Sequence, residues 1–103
     1  MIITTTPTFE GKRIVEYKGI VFGEAAVGPG IGQEFSAILA GITGKRSGTY
    51  ESKLDETRLA AIAEMKERAE ALGANAVVGV DVDYEQITGL FMIAVSGTAV
   101  VVE

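Results

Sequence analysis

The stretch Met65-Lys66-Glu67-Arg68-Ala69-Glu70-Ala71-Leu72-Gly73-Ala74-Asn75-Ala76-Val77-Val78-Gly79-Val80-Asp81-Val82-Asp83-Tyr84-Glu85 changes its hydrophobic period at Gly73. On its N-terminal side the spacing is helical. Tyr50, Leu54, Ala61, Met65, Ala69 and Leu72 fall in one sector at about 100° per residue, with Glu56, Glu64, Glu67 and Glu70 outside it. Thr49 is placed to cap the first turn, Glu51 to sit at its positive end and Gly73 to close the C-terminus, so the spacing predicts a helix over 49–72. Arg58 is the one misfit in the apolar sector. A desolvated guanidinium needs a carboxylate or carbonyl partner, and an acid at a subunit interface is the expected one.

From Ala76 the period is two, with Val78, Val80, Val82 and Tyr84 on one face and Asp81, Asp83 and Glu85 on the other. This predicts a strand with one face in solvent. Residues 86–89 make a turn, and Leu90 to Val102 form a last strand expected to project beyond its partner, with Gly97 as a bulge. Upstream, the branched and aromatic residues of 13–27 suit a long strand bent at Gly19 or Gly23. A shorter strand at 2–6 precedes it, and Pro7 with Glu10-Gly11 suggests that the two form a loose hairpin. After Gly28-Pro29-Gly30 the stripe Ile31, Phe35, Ile38, Leu39 and Ile42 predicts a short amphipathic helix that Gly44 stops. The fold class is therefore α+β: an antiparallel or mixed sheet of about four strands, with one short and one long helix, the long one covering the apolar face.

A chain of 103 residues gives room for one domain, read here as 1–103. Its apolar share of 48% against 22% charged residues excludes disorder and fibrous repeats. So much apolar side chain in so small a body favours burial against other copies of itself. Cysteine and histidine are both absent, which removes thiol and imidazole catalysis, zinc fingers and iron–sulfur clusters. An enzyme is the least supported class, and no catalytic residue is assigned. The N-terminus lacks a basic and apolar leader, and the longest near-apolar run, 90–102, is shorter than a membrane helix. The expectation is a cytoplasmic protein with no membrane partner. A net charge of −5 disfavours nucleic acid as a partner.

Several motifs stand out against that background. Gly28, Gly30 and Gly32 have a spacing one residue short of a dinucleotide-binding turn. Gly44-Lys45-Arg46-Ser47 lacks the leading glycine and the Lys-Ser/Thr pair of a phosphate-binding loop. Gly41-Ile42-Thr43-Gly44 matches the GxxG clamp of KH domains, but the charge balance opposes it and glycines that end one helix and admit the next explain it as well. Two candidate sites remain. Lys45, Arg46 and Ser47, beside the free N–H groups at the start of the long helix, could hold a small anion, with a solvated loop as the plain alternative. Asp81, Asp83 and Glu85 stand about 7 Å apart along one strand face. They could share a hard divalent cation if a second subunit supplied more oxygens, and otherwise form an acidic edge that resists aggregation.

Taken in order, Thr5-Thr6-Pro7-Thr8-Phe9-Glu10-Gly11, Ile14-Val15-Glu16-Tyr17, Gly44-Lys45-Arg46-Ser47-Gly48-Thr49-Tyr50, Leu72-Gly73-Ala74-Asn75-Ala76-Val77-Val78-Gly79-Val80 and Val95-Ser96-Gly97-Thr98-Ala99-Val100 resemble the YbjQ-like family along almost the whole chain. The resemblance implies a subunit similar in fold to the dodecin subunit, assembled as a ring-shaped homopentamer in a bacterial or archaeal cytoplasm. Members carry a heavy-metal-binding label without an established activity. Where members commonly have Gly-Gly-Arg-Ser-Gly, this chain has Gly44-Lys45-Arg46-Ser47-Gly48, which adds a charge without disturbing the turn. The label fits poorly with a chain that has no thiolate or imidazole, so any metal cofactor must be a harder divalent ion held by oxygens. A ligand-binding ring and a structural ring without ligand both stand as expectations.

Overall fold

The computed structural model describes residues 1–27, 47–87 and 90–103. The short helix expected at 31–42, the Gly41 to Gly44 motif, Lys45 and Arg46 lie outside the described residues. Strand β1 (Ile2–Ile3), strand β2 (Ile14–Val27), helix α1 (Ser47–Ala71), strand β3 (Ala76–Ile87) and strand β4 (Leu90–Val102) follow one another along the described chain. The sheet has four strands in the order β1-β3-β4-β2.

Strand β4 lies between β3 and β2 and runs antiparallel to both, while β1 runs parallel to β3. The sheet is therefore mixed. Strand β4 projects past its hairpin partner β3 by Val101 and Val102, as expected, and is paired with β2 from Val27↔Phe91 to Ile14↔Val102. One sequence expectation changes here. The first strand does not form a hairpin with β2. It crosses to β3, where Thr4 donates to the Val77 carbonyl at 3.0 Å and the carbonyls of Thr6 and Thr4 accept from Gly79 and Val80 at 2.9 and 3.0 Å. Ile3 explains the crossing, because at β3 it packs against the main core.

A bulge decides which face each β3 side chain takes. The β3–β4 register shifts between Val78 and Asp81, and Gly79 has a φ of 63°, a left-handed conformation that glycine adopts at little cost. Val77, Val80 and Val82 consequently join the core under the helix, whereas Val78 turns to the opposite face. There Ala76, Val78, Val100 and Val102 make a second cluster against Phe9 and Ile14. The expected single row of Val78, Val80, Val82 and Tyr84 is thus broken by the extra residue. Gly97, by contrast, is not a bulge. A Cβ there would stand 2.6 Å from Val77 Cγ1, so glycine is needed for close packing.

Helix α1 lies over the other face, where Ala61, Met65 and Ala69 are fully buried with Val21, Val77, Ile93, Val95 and Ala99. Burying a side chain the size of Met65 contributes about 1.5–3 kcal/mol. The buried row also includes Thr57, a polar residue whose hydroxyl donates to the Lys53 carbonyl at 2.6 Å and so enters the core with its hydrogen bond made. Leu72 is 44% exposed, because the chain has already left the helix there. The end is a Schellman closure: Gly73, with φ 87°, donates to Glu70 at 2.9 Å and Ala74 donates to Ala69 at 3.1 Å. The helix begins at Ser47, so Thr49 sits inside its first turn and is not the cap.

Candidate functional site on the outer face of the sheet

The alternation along β4 assigns each neighbour to a face. Ile93, Val95 and Ala99 point under α1, so Met92, Ala94, Ser96 and Thr98 point to the outer face, where all four are half-buried. Directly paired residues share a face: Ile20 sits opposite Thr98, Phe22 opposite Ser96 and Tyr17 opposite Val100. These three β2 side chains are 69%, 54% and 70% exposed. They form an apolar row along one side of the outer face, among the described residues, next to the small cluster that Phe9 and Ile14 cover.

On the other side of β4, Asp81 pairs with Ser96, Asp83 with Ala94 and Glu85 with Met92. All three acids are exposed on this outer face, as expected from their period. They lie two strand spacings, about 10 Å, from the apolar row. The arrangement is a two-sided surface: apolar along β2, small and partly covered along β4, anionic along β3. The three carboxylates share a face without converging. Among the described residues no group of three His, Cys, Asp or Glu side chains is placed to hold a metal ion. Of the anion candidates, Ser47 is the first residue of α1, and Lys45 and Arg46 are not described.

Arg58 finds its partners within its own chain. Its Nη2 donates to Asp55 Oδ1 at 2.6 Å, one turn back on the helix, and its Nη1 donates to the Tyr84 hydroxyl at 3.0 Å. The hydrogen bond donated to Asp55 and then that donated to Tyr84 hold the guanidinium above its ordinary pKa. The misfit in the apolar sector is therefore where α1 reaches β3, with Tyr84 52% exposed beside it and stacked at a tilt on Phe91.

The apolar row was not singled out in the sequence. Its signal is Gly19, whose φ of 128° accompanies a register shift between Tyr17 and Gly19. With one extra residue at that point, Tyr17, Ile20 and Phe22 fall on one face, although unbroken alternation would separate Tyr17 from the other two. Asn75 was also missed as a structural residue. Its side chain accepts from the Val102 amide at 2.8 Å and donates to the Val102 carbonyl at 3.0 Å, extending the ladder by one imitation strand residue.

The comparisons agree with this geometry in fold and go further in family. The family model described as "Putative heavy-metal-binding" (YbjQ) matches residues 1–103. A UPF0145 protein of Listeria grayi is 56% identical over 106 residues, covering all of both chains. Relatives under the same label in Pasteurella multocida and Clostridium botulinum are 53% and 54% identical, over 99% and 100% of both chains respectively. Among solved structures, a protein of unknown function from Pediococcus pentosaceus, assigned to the DUF74 family, covers all of this chain and 98% of its own. It superposes with a TM-score of 0.63 at 18% identity, a likeness of fold.

Proposed function

Since the chain belongs to the YbjQ family of UPF0145 proteins, whose label names heavy metals, we propose that it works as a non-enzymatic subunit of a cytoplasmic homo-oligomer that joins through the outer face of its sheet. The observation that carries this reading is the row Tyr17, Ile20 and Phe22, each more than half exposed on one face of a small domain. Contiguous apolar surface of this kind is uncommon on monomers and marks association sites. A closed ring buries such a row on every copy, and the family resemblance makes five the expected number. No described helix is long and apolar enough to cross a membrane.

A soft heavy metal does not fit the acidic row. Such ions prefer thiolate and imidazole, which the sequence lacks, and the row offers carboxylate oxygens. A second reading concerns a hard cation and rests on Asp81, Asp83 and Glu85 sharing the outer face. Oxygens from a neighbouring copy would have to complete their coordination, which favours Ca²⁺, Mg²⁺ or Mn²⁺. The alternative is a structural ring that carries no ligand. Native mass spectrometry of the freshly purified protein separates these readings. A single multiple of the subunit mass supports the ring, and a retained adduct supports a ligand. A spectrum of bare subunits at micromolar concentration contradicts the proposal.

A further inference from the structure

Among the described residues strand β2 is an edge of the sheet, and edges with free amides and carbonyls invite another strand to add. Its first half is irregular, with register shifts between Ile14 and Glu16 and between Tyr17 and Gly19, and bulges of this kind spoil an edge for pairing. The second half, from Ile20 to Val27, pairs with β4 without interruption. In the middle of that regular stretch two helix side chains reach the backbone. Glu64 Oε1 accepts from the Glu24 amide at 2.7 Å, and Arg68 Nη1 donates to the Phe22 carbonyl at 3.0 Å. The two side chains also form an ion pair, Arg68 Nη2 to Glu64 Oε2, at 3.6 Å.

The groups occupied are those flanking Gly23, the carbonyl before it and the amide after it. An added strand would engage the same pair. One carboxylate and one guanidinium, a helical turn apart, therefore take the place of that strand's carbonyl and amide respectively. The reach is short because Gly23 has no side chain and the helix backbone at Ala61 and Met65 comes down directly onto it. Both side chains keep considerable exposure, 39% for Glu64 and 53% for Arg68, so the ion pair itself adds little stability.

We propose that Glu64 and Arg68 form an edge guard that stops a second copy from extending the sheet at β2. This role is independent of the ring. It separates association through side chains on the outer face from open-ended growth through the backbone.

The test is the double variant Glu64→Ala/Arg68→Ala in the full chain, followed by size-exclusion chromatography and thioflavin fluorescence during incubation. The expected result is a shift from the parent's elution position to very large, thioflavin-positive species. Adding Glu24→Pro, which deletes the freed amide and is tolerated on an edge strand, should return the parent's behaviour. Glu64→Gln alone keeps an acceptor and should elute as the parent does. Ile62→Ala, which loosens the core without touching the edge, controls for plain destabilisation and should not bind thioflavin at the same distance below its melting temperature. If the double variant unfolds, Arg68→Ala alone, which frees the Phe22 carbonyl, must show the shift. The proposal is overturned if the edge-opened variant keeps the parent's elution without thioflavin gain, if Glu24→Pro fails to reverse the growth, or if Ile62→Ala grows equally.

Discussion

Gly23 of β2 and Ala61 of α1 are in such close apposition that a Cβ on Gly23 would overlap the Ala61 carbonyl oxygen and stand 2.8 Å from the Met65 amide nitrogen. The obstacle is helix backbone, which no rotamer change can move aside. Gly23→Ala should therefore lift the helix from the sheet and cost about 3 kcal/mol, at the upper end of overpacking effects. Thermal unfolding followed by circular dichroism should show a fall of more than 10 °C, on the scale of about 4–8 °C per kcal/mol for a domain this small. An unchanged melting temperature would mean that the helix does not pack here.

Met65 is fully buried in the main core. Met65→Asp places an unpaired carboxylate among aliphatic groups and should abolish cooperative unfolding. Met65→Leu, nearly equal in volume, should cost less than about 1.5 kcal/mol. The comparison is read from denaturant titrations of the two variants. Aspartate tolerated as well as leucine would place the core on a different helix face.

The Asn75 side chain holds both backbone groups of Val102, and the Asn75 backbone amide donates to the Val100 carbonyl at 3.0 Å. Asn75→Ala removes two side-chain hydrogen bonds and leaves the Val102 groups to solvent, a loss of about 1–3 kcal/mol. Amide exchange at Val102 should accelerate more than the global opening rate does. Uniform acceleration across the sheet would assign Asn75 no local role.

Much of this arrangement is legible in the sequence where one period runs unbroken. The α1 face of Ala61, Met65 and Ala69 follows from helical spacing, and Gly73 marks the helix end because only a left-handed residue completes that closure. The alternation from Val80 to Glu85 likewise places Asp81, Asp83 and Glu85 in solvent. What is hidden depends on single inserted residues and on long-range pairing. The bulge at Gly79 sends Val78 to the second cluster, and the one near Gly19 aligns Tyr17 with Ile20 and Phe22. Neither shift changes composition, only parity. The parallel pairing of β1 with β3 is invisible locally, since Ile2 and Ile3 would suit either neighbour. Likewise Arg58 reads in the sequence as a residue with its partner at a subunit interface, whereas Asp55 three residues away takes its guanidinium.

The acidic row makes a separate prediction about metal. Calorimetric titration with Ca²⁺ and Cd²⁺ should show any binding to favour Ca²⁺ and to be lost in Asp81→Asn/Asp83→Asn, because the proposed ligands are carboxylate oxygens. Tighter Cd²⁺ binding that survives the double substitution would contradict both the ion preference and the ligands. Silence with both ions would leave the row as a solvated acidic face.

The most direct measurement is sedimentation velocity on the parent chain and on Ile20→Lys/Phe22→Lys, whose new charges stand on the exposed row. The account predicts one sharp oligomeric species for the parent and a folded, slower-sedimenting species for the variant, with near-parental circular dichroism. A parent that sediments as a monomer at every concentration, or a variant that keeps the parent's mass, would contradict assembly through the outer face.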